Sequence, residues 1–135
     1  MERPADPSGT PGGPIDSSRP ARFSRTNRLS RTWQYQRAYR DGGSTRGKLV
    51  VLYAHVVPGE PSRLGIVASK KVGGAVVRNR TKRRLREVGR ALWPRVHPDG
   101  RQLVIIALAS AAKAEFTDLA ADVESLFASM GAFES

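Results

Sequence analysis

Apolar and polar positions along this chain follow two different periods. Residues 48–57, KLVVLYAHVV, are rich in β-branched types and end at Pro58-Gly59, which predicts a strand. Side chains two apart share a strand face. Val51, Tyr53 and His55 therefore fall on one face, and Val50, Leu52 and Ala54 on the other. Residues 63–70, RLGIVASK, predict a second strand, and the short Glu60-Pro61-Ser62 link between the two suits an antiparallel hairpin. Residues 102–109, QLVIIALA, are an unbroken apolar run, the pattern of a central strand buried on both faces.

Three stretches carry the helical period instead. Ser30 is placed to cap a helix over residues 31–40, which Asp41-Gly42-Gly43 would stop. That helix holds Trp33, Tyr35 and Tyr39, three of the nine aromatic residues of the chain. Tyr35 and Tyr39 are four apart and share a face, where they serve either as core anchors or as a partly wet contact surface. A longer helix is expected from Ala75 to Ala91, after a turn at Val72-Gly73-Gly74. A last helix is expected over residues 110–130, with Phe116, Leu119, Val123, Leu126 and Phe127 as its core face and an acidic outer face. Residues 94–100 read as a loop. Helix, strands, helix, strand, helix predicts an α+β sandwich. Residues 1–22, rich in Pro, Gly and Ser, hold too little apolar surface to offset their ordering entropy and are expected to be a disordered leader.

Charge sharpens this picture because it is unevenly spread. The chain of 135 residues has a formal net charge of +11. Residues 1–22 are neutral overall, residues 23–101 hold 19 Lys/Arg against four Asp/Glu, and residues 102–135 hold one against five. The middle of the molecule would attract a polyanion, and the last helix would stay away from one. The four acids of the basic region, Asp41, Glu60, Glu87 and Asp99, are scattered, which argues against a protein nuclease built on clustered carboxylates. There is no cysteine, so disulfides and cysteine-based zinc sites are excluded. His55 on a strand and His97 in a loop are not at metal-ligand spacing, and no metal site is expected. No apolar run approaches the length of about 18 residues that a membrane span requires, and no secretory signal core is seen. A cytoplasmic protein is expected.

The densest charge lies in residues 70–90, KKVGGAVVRNRTKRRLREVGR, where nine of 21 residues are Lys or Arg. On a wheel of roughly 100° per residue, Val77, Leu85, Val88 and Leu92 fall within about 80° and form one apolar stripe. Lys82, Arg83, Arg86 and Arg90 lie opposite, with Asn79 among them. Arg78 and Arg80 flank the stripe, and Arg84 sits at its edge, where it must snorkel or meet a partner. Such a helix docks on a sheet through its stripe. Its cation face lacks the interleaved acids of a merely solvated helix, so an anionic partner would relieve the repulsion. Arginine forks bind phosphates bidentately, which points to a nucleic acid. A structural RNA-binding protein and a double-stranded DNA reader both remain open on these grounds, although no second helix stands in helix-turn-helix relation to this one.

The stretch SRLGIVASKKVGGAVVRNRTKRRLREVGR resembles the signature region of the protein subunit of bacterial ribonuclease P. Ser69, Lys70 and Lys71 match the end of the family's strand, Val72-Gly73 its turn, and Arg78-Asn79-Arg80 with Lys82-Arg83 and Arg86-Glu87 its basic helix. NRLSRTWQYQRAYRDG is similar to the family's first helix, with Tyr35 and Tyr39 where the family usually has Phe. The resemblance covers about residues 23–130 and leaves residues 131–135 as a C-terminal tail. It implies a two-layer, ribosomal-protein-like α/β sandwich in the order α-β-β-β-α-β-α, with a left-handed β-α-β crossover that contains the basic helix. It also implies that the protein assists a catalytic RNA in removing the 5′ leader from precursor tRNA, with magnesium ions held by that RNA. Lys70, Lys71, Arg78, Asn79, Arg80, Lys82, Arg83, Arg86 and Arg90 would then contact the RNA subunit. Tyr35, Tyr39 and Tyr53 would line a cleft for the single-stranded leader. The implied partners are the ribonuclease P RNA and precursor tRNA, with no membrane and no obligate protein partner. No catalytic residue is expected in the chain itself.

Overall fold

The computed structural model describes residues 23–134. The segment expected to be a disordered leader, residues 1–22, lies outside the described residues. Seven main elements follow in the expected order: α1 (Thr32–Asp41), β1 (Gly43–Arg46), β2 (Val50–Pro61), β3 (Arg63–Val67), α2 (Ala75–Leu92), β4 (Asp99–Ala107) and α3 (Phe116–Ser129). Short 3-10 turns lie at Arg25–Asn27, Trp93–Arg95 and Ala109–Lys113.

The strands form one sheet in the order β1-β2-β4-β3. β1 and β2 are antiparallel, as are β2 and β4, while β3 and β4 are parallel. The expected hairpin between the second and third strands is therefore absent. β2 runs to Pro61, and β3 leaves it to pair with the far side of β4. Ser62 makes that corner. It is buried, its N–H donates to the Pro98 carbonyl at 3.0 Å, and its hydroxyl donates to the His97 carbonyl at 2.6 Å. It also accepts from the Arg101 N–H at 2.9 Å. The chain is thus pinned to the entry of β4 rather than folded back on β2. β4 has the central position expected of its apolar run, with Leu103, Val104 and Ile105 fully buried. It starts earlier than its apolar run, at Asp99, and β3 ends earlier than expected, at Val67.

One sheet face carries the main core. Val50, Leu52, Leu64, Leu103 and Ile105 pack against Leu85, Val88 and Leu92 of α2 and against Leu119, Val123, Leu126 and Phe127 of α3. α1 crosses the opposite face, where Ala38 and Leu29 bury Val104. Two of the sequence expectations fail at helix ends. Ser30 does not cap α1 with its side chain; Arg31 is the N-cap, and the Gln34 side-chain oxygen accepts the N–H groups of Ser30 and Arg31 at 2.9 and 3.0 Å. Phe116 is 46% exposed, because α3 only begins there and its core face starts one turn later at Leu119. Ala111 and Ala112, in the preceding 3-10 turn, fill the core at that end instead.

Ala132 and Phe133, within the expected C-terminal tail, are also packed. Ala132 is fully buried, Phe133 meets Phe127 edge-on at 5.8 Å, and the Arg95 guanidinium lies 4.2 Å from the Phe133 ring centre. The Asp122 carboxylate of α3 accepts three backbone N–H groups, those of Lys48, Leu49 and Val50, at 3.1, 2.9 and 3.2 Å. That one side chain therefore ties α3 to the β1–β2 turn.

Candidate nucleic-acid interface

The basic stretch is placed by its turn. Gly73 has φ +150°, and a side chain there would meet Val77 at 2.9 Å, so only glycine lets the chain swing from β3 into α2 this closely. The Val72 N–H donates to the Ser69 carbonyl and the Gly73 N–H to the Lys70 carbonyl, which leaves Lys70 and Lys71 exposed at the rim. α2 then docks through Leu85, Val88 and Leu92, as the wheel requires, with Val77 half-buried beside them. Two contributors were missed by a count of apolar types. Thr81 is fully buried at the centre of the stripe, with its hydroxyl satisfied by the Val77 carbonyl at 2.8 Å. Gly89 is buried against β3, where an added Cβ would stand 2.4 Å from the Leu64 side chain. The wheel position of Thr81 was the available signal.

The cations divide into two flanks and a crest. Arg78, Lys82 and Arg86, four residues apart, are half-buried along the flank that overlooks β3. Arg84, on the other flank, donates to the Ala114 carbonyl before α3, so of the two outcomes its edge position allowed it meets a partner. Asn79, Arg80, Arg83 and Arg90 are exposed. Among the described residues, Arg78, Arg80, Lys82, Arg83 and Arg86 meet no acidic side chain, and Arg90 approaches Glu87 only at 3.8 Å. The cation face is thus rigidly mounted and uncompensated by its neighbours.

The three tyrosines stand on the other sheet face. Pairing brings Tyr53, Val104 and Gly65 side by side across β2, β4 and β3. α1 lies along this row: Tyr39 meets Tyr53 edge-on at 4.9 Å, Ala38 covers Val104, and Tyr35 covers Gly65. A Cβ on Gly65 would sit 2.5 Å from the Tyr35 ring, so glycine is what lets the ring lie on the strand. The Tyr35 hydroxyl donates to the Leu29 carbonyl at 3.3 Å. Burial raises the pKa of both Tyr35 and Tyr39, so both remain neutral phenols at physiological pH. The next row, Val51, Ile106 and Val67, is half-buried and gives an apolar floor beside the rings.

Tyr35 also joins the two surfaces. It lines a pocket of about 120 Å³ at the β3 edge together with Arg28, Lys82 and Arg86. Burial, then the neighbouring Arg86, Arg90 and Arg25, lower the pKa of Arg28. Arg28 was not among the expected site residues. α1 itself is held by Glu60, whose carboxylate accepts from Arg37 at 2.8 and 3.0 Å and from Arg63 at 2.8 Å. The Arg37 hydrogen bond, with that of Arg63, holds the Glu60 pKa at about 2. Among the described residues, no three His, Asp or Glu side chains gather in metal-binding reach, and no helix is long and apolar enough to cross a membrane.

The comparisons with known proteins agree with one another. The family model described as Ribonuclease P matches residues 23–131. The ribonuclease P protein component of Symbiobacterium thermophilum is 43% identical over 107 residues, 77% of this chain and 90% of that protein. That of Beutenbergia cavernae is 45% identical over 108 residues, 78% and 88% of the two chains. Among solved structures, the RNase P protein of Staphylococcus aureus superposes with a TM-score of 0.72 at 27% identity, covering 80% of this chain and 98% of that one. The RNase P protein of Thermotoga maritima gives a TM-score of 0.66 at 26% identity, with the same coverage. With its fold, its basic helix and its matched span in accord, this chain belongs to the family of ribonuclease P protein components.

Proposed function

We propose that this chain binds the RNA subunit of a ribonuclease P holoenzyme and the single-stranded leader of precursor tRNA, and that the RNA subunit carries the catalysis. The observation that supports this most is α2: a helix fixed to the sheet by a buried stripe, with Arg and Lys directed outward and, among the described residues, no acidic side chain meeting Arg78, Arg80, Lys82, Arg83 or Arg86. Arg78, Asn79, Arg80, Lys82, Arg83, Arg86 and Arg90, with Lys70 and Lys71 at the rim, contact phosphates of the RNA subunit. Each neutralised phosphate adds about 0.7–0.9 to the salt slope of binding. Tyr35, Tyr39 and Tyr53 receive the leader, each stacked base contributing about 1–3 kcal/mol.

Magnesium, which activates water in phosphoryl-transfer chemistry, is assigned to the RNA subunit. The described residues of this chain offer no cluster of carboxylates to hold it. The protein's own contribution is to bind and orient: it neutralises phosphates where the two RNAs approach and holds the leader extended.

The test adds the full chain to a transcribed bacterial ribonuclease P RNA at low magnesium and measures cleavage of precursor tRNA. Restored cleavage is expected. Tight binding to ribosomal RNA with no restored cleavage would instead identify a structural RNA-binding protein.

A further inference from the structure

Trp33 is the most conspicuous side chain that this reading does not use. It is 53% exposed, although tryptophan carries the largest apolar surface of any side chain. Tyr35 and Tyr39 lie roughly 160° and 120° around α1 from it, so Trp33 faces away from the tyrosine row. Its ring is not loose. The Arg37 guanidinium lies over it at 4.9 Å, and Arg37 is in turn held by two hydrogen bonds to Glu60. Trp33 also lines an open concavity of about 520 Å³, within the range of small-ligand sites. Arg25, Arg28, Arg31 and Arg63 line the same concavity, with Gln34 between them. Arg63 is committed to Glu60, while no acidic side chain among the described residues reaches Arg25, Arg28 or Arg31. Arg28 also lines the pocket of Lys82 and Arg86, so positive charge runs without a break from α2 to Trp33.

We propose that this concavity is a second nucleotide subsite, in which one base of a single-stranded RNA segment stacks on Trp33 and the adjoining phosphates sit on Arg25, Arg28 and Arg31. An aromatic platform beside guanidinium groups is the arrangement that holds single strands without reading their sequence. The subsite shares with the function proposed above only that the partner is RNA. The strand comes either from the RNA subunit or from the precursor tRNA.

The two tryptophans of the chain make the subsite observable. Trp93 is only 3% exposed, so contact-dependent changes in tryptophan emission report on Trp33. The full chain is titrated with an RNA of eight adenosines, and binding is followed in parallel by anisotropy. Binding is expected to quench Trp33. Trp33→Ala is expected to weaken it by roughly 5- to 150-fold, Trp33→Phe to retain most of it, and Arg25→Ala with Arg31→Ala to lower the salt slope by about 1.4. Weaker assembly with ribonuclease P RNA in Trp33→Ala assigns the strand to the RNA subunit. A loss seen only for leader-bearing precursor tRNA on the preassembled holoenzyme assigns it to the leader. Octamer binding that leaves the emission unchanged, or that Trp33→Ala does not weaken, overturns the subsite. If octamer binding depends on Trp33 while the chain neither binds ribonuclease P RNA nor restores its cleavage of precursor tRNA, the holoenzyme reading fails and the subsite stands.

Discussion

Gly65→Ala tests whether the tyrosine row is a mounted surface or incidental packing. The added methyl would lie 2.5 Å from Tyr35 Cε1 and 2.7 Å from both Cζ and the hydroxyl oxygen. Ordinary contact needs about 3.4 Å or more, so the ring must move outward by about 1 Å, since Gly65 lies in a strand paired along its length with β4. That movement stretches the 3.3 Å hydrogen bond to the Leu29 carbonyl, worth about 1 kcal/mol. Overpacking adds about 1–3 kcal/mol, so a total destabilisation of about 2–4 kcal/mol is expected in urea. Displacing one ring from the row is also expected to lower the affinity for leader-bearing over leaderless tRNA by about tenfold, the scale of one lost base stack. In a Tyr35→Ala background the methyl has room, so Gly65→Ala is expected to cost at least 1 kcal/mol less there, a coupling of the size contacting residues show. A Gly65→Ala chain as stable as the parent, or one with the same cost in both backgrounds, would refute the geometry.

Three further outcomes are expected. Replacing Arg78, Arg80 and Arg83 with Ala removes three of the proposed phosphate contacts and is expected to lower the salt slope of RNA-subunit binding by about 2–3, read from dissociation constants across a salt series; an unchanged slope counts against α2 as the contact. Glu60→Gln removes a carboxylate whose folded pKa of about 2 lies below the unfolded value of about 4.3. Its stabilisation is present above the unfolded value and lost as pH falls through about 2. The Glu60 side chain is 30% exposed, so the expected cost is reduced by solvent screening to about 1–2 kcal/mol at pH 7; it should vanish near pH 2, as followed by urea denaturation at several pH values. Asp122→Ala leaves three N–H groups without their acceptor and is expected to cost about 2–3 kcal/mol while the salt slope of RNA binding stays unchanged.

The parts legible in the sequence are those written in a single local period. α2 was readable because its stripe and its cations lie on one helix, and a wheel separates them without reference to any other element. The edge position of Arg84 left snorkelling or a partner open, and the structure gives the partner, the Ala114 carbonyl. β4 was readable as central because an unbroken apolar run has to be covered on both faces. Thr81 escaped because its hydroxyl suggested solvent, whereas a helix can satisfy a threonine internally through the carbonyl four residues back. Phe116 misled for the opposite reason: an apolar type at the right spacing still lies outside the core if the helix starts at that residue.

The tyrosine row belongs to a different category, because it depends on strand order. Tyr53 and Gly65 are joined in the chain by a link short enough for a hairpin, and a hairpin would have made their strands neighbours. Instead β4 stands between them, and the row becomes Tyr53, Val104, Gly65. This insertion sets the breadth of the surface. Neighbouring strands lie about 4.8 Å apart, so three strands separate the outer positions by nearly 10 Å. That is a span α1 can bridge with Tyr39 at one end, Tyr35 at the other and the small Ala38 between them. It also puts β3 at the sheet edge, where Tyr35 from one face and Lys82 and Arg86 from the other meet around a single pocket. Adjacency of the tyrosine rings and the cation helix thus follows from one topological choice, made at Ser62, a residue with no chemistry of its own to attract notice.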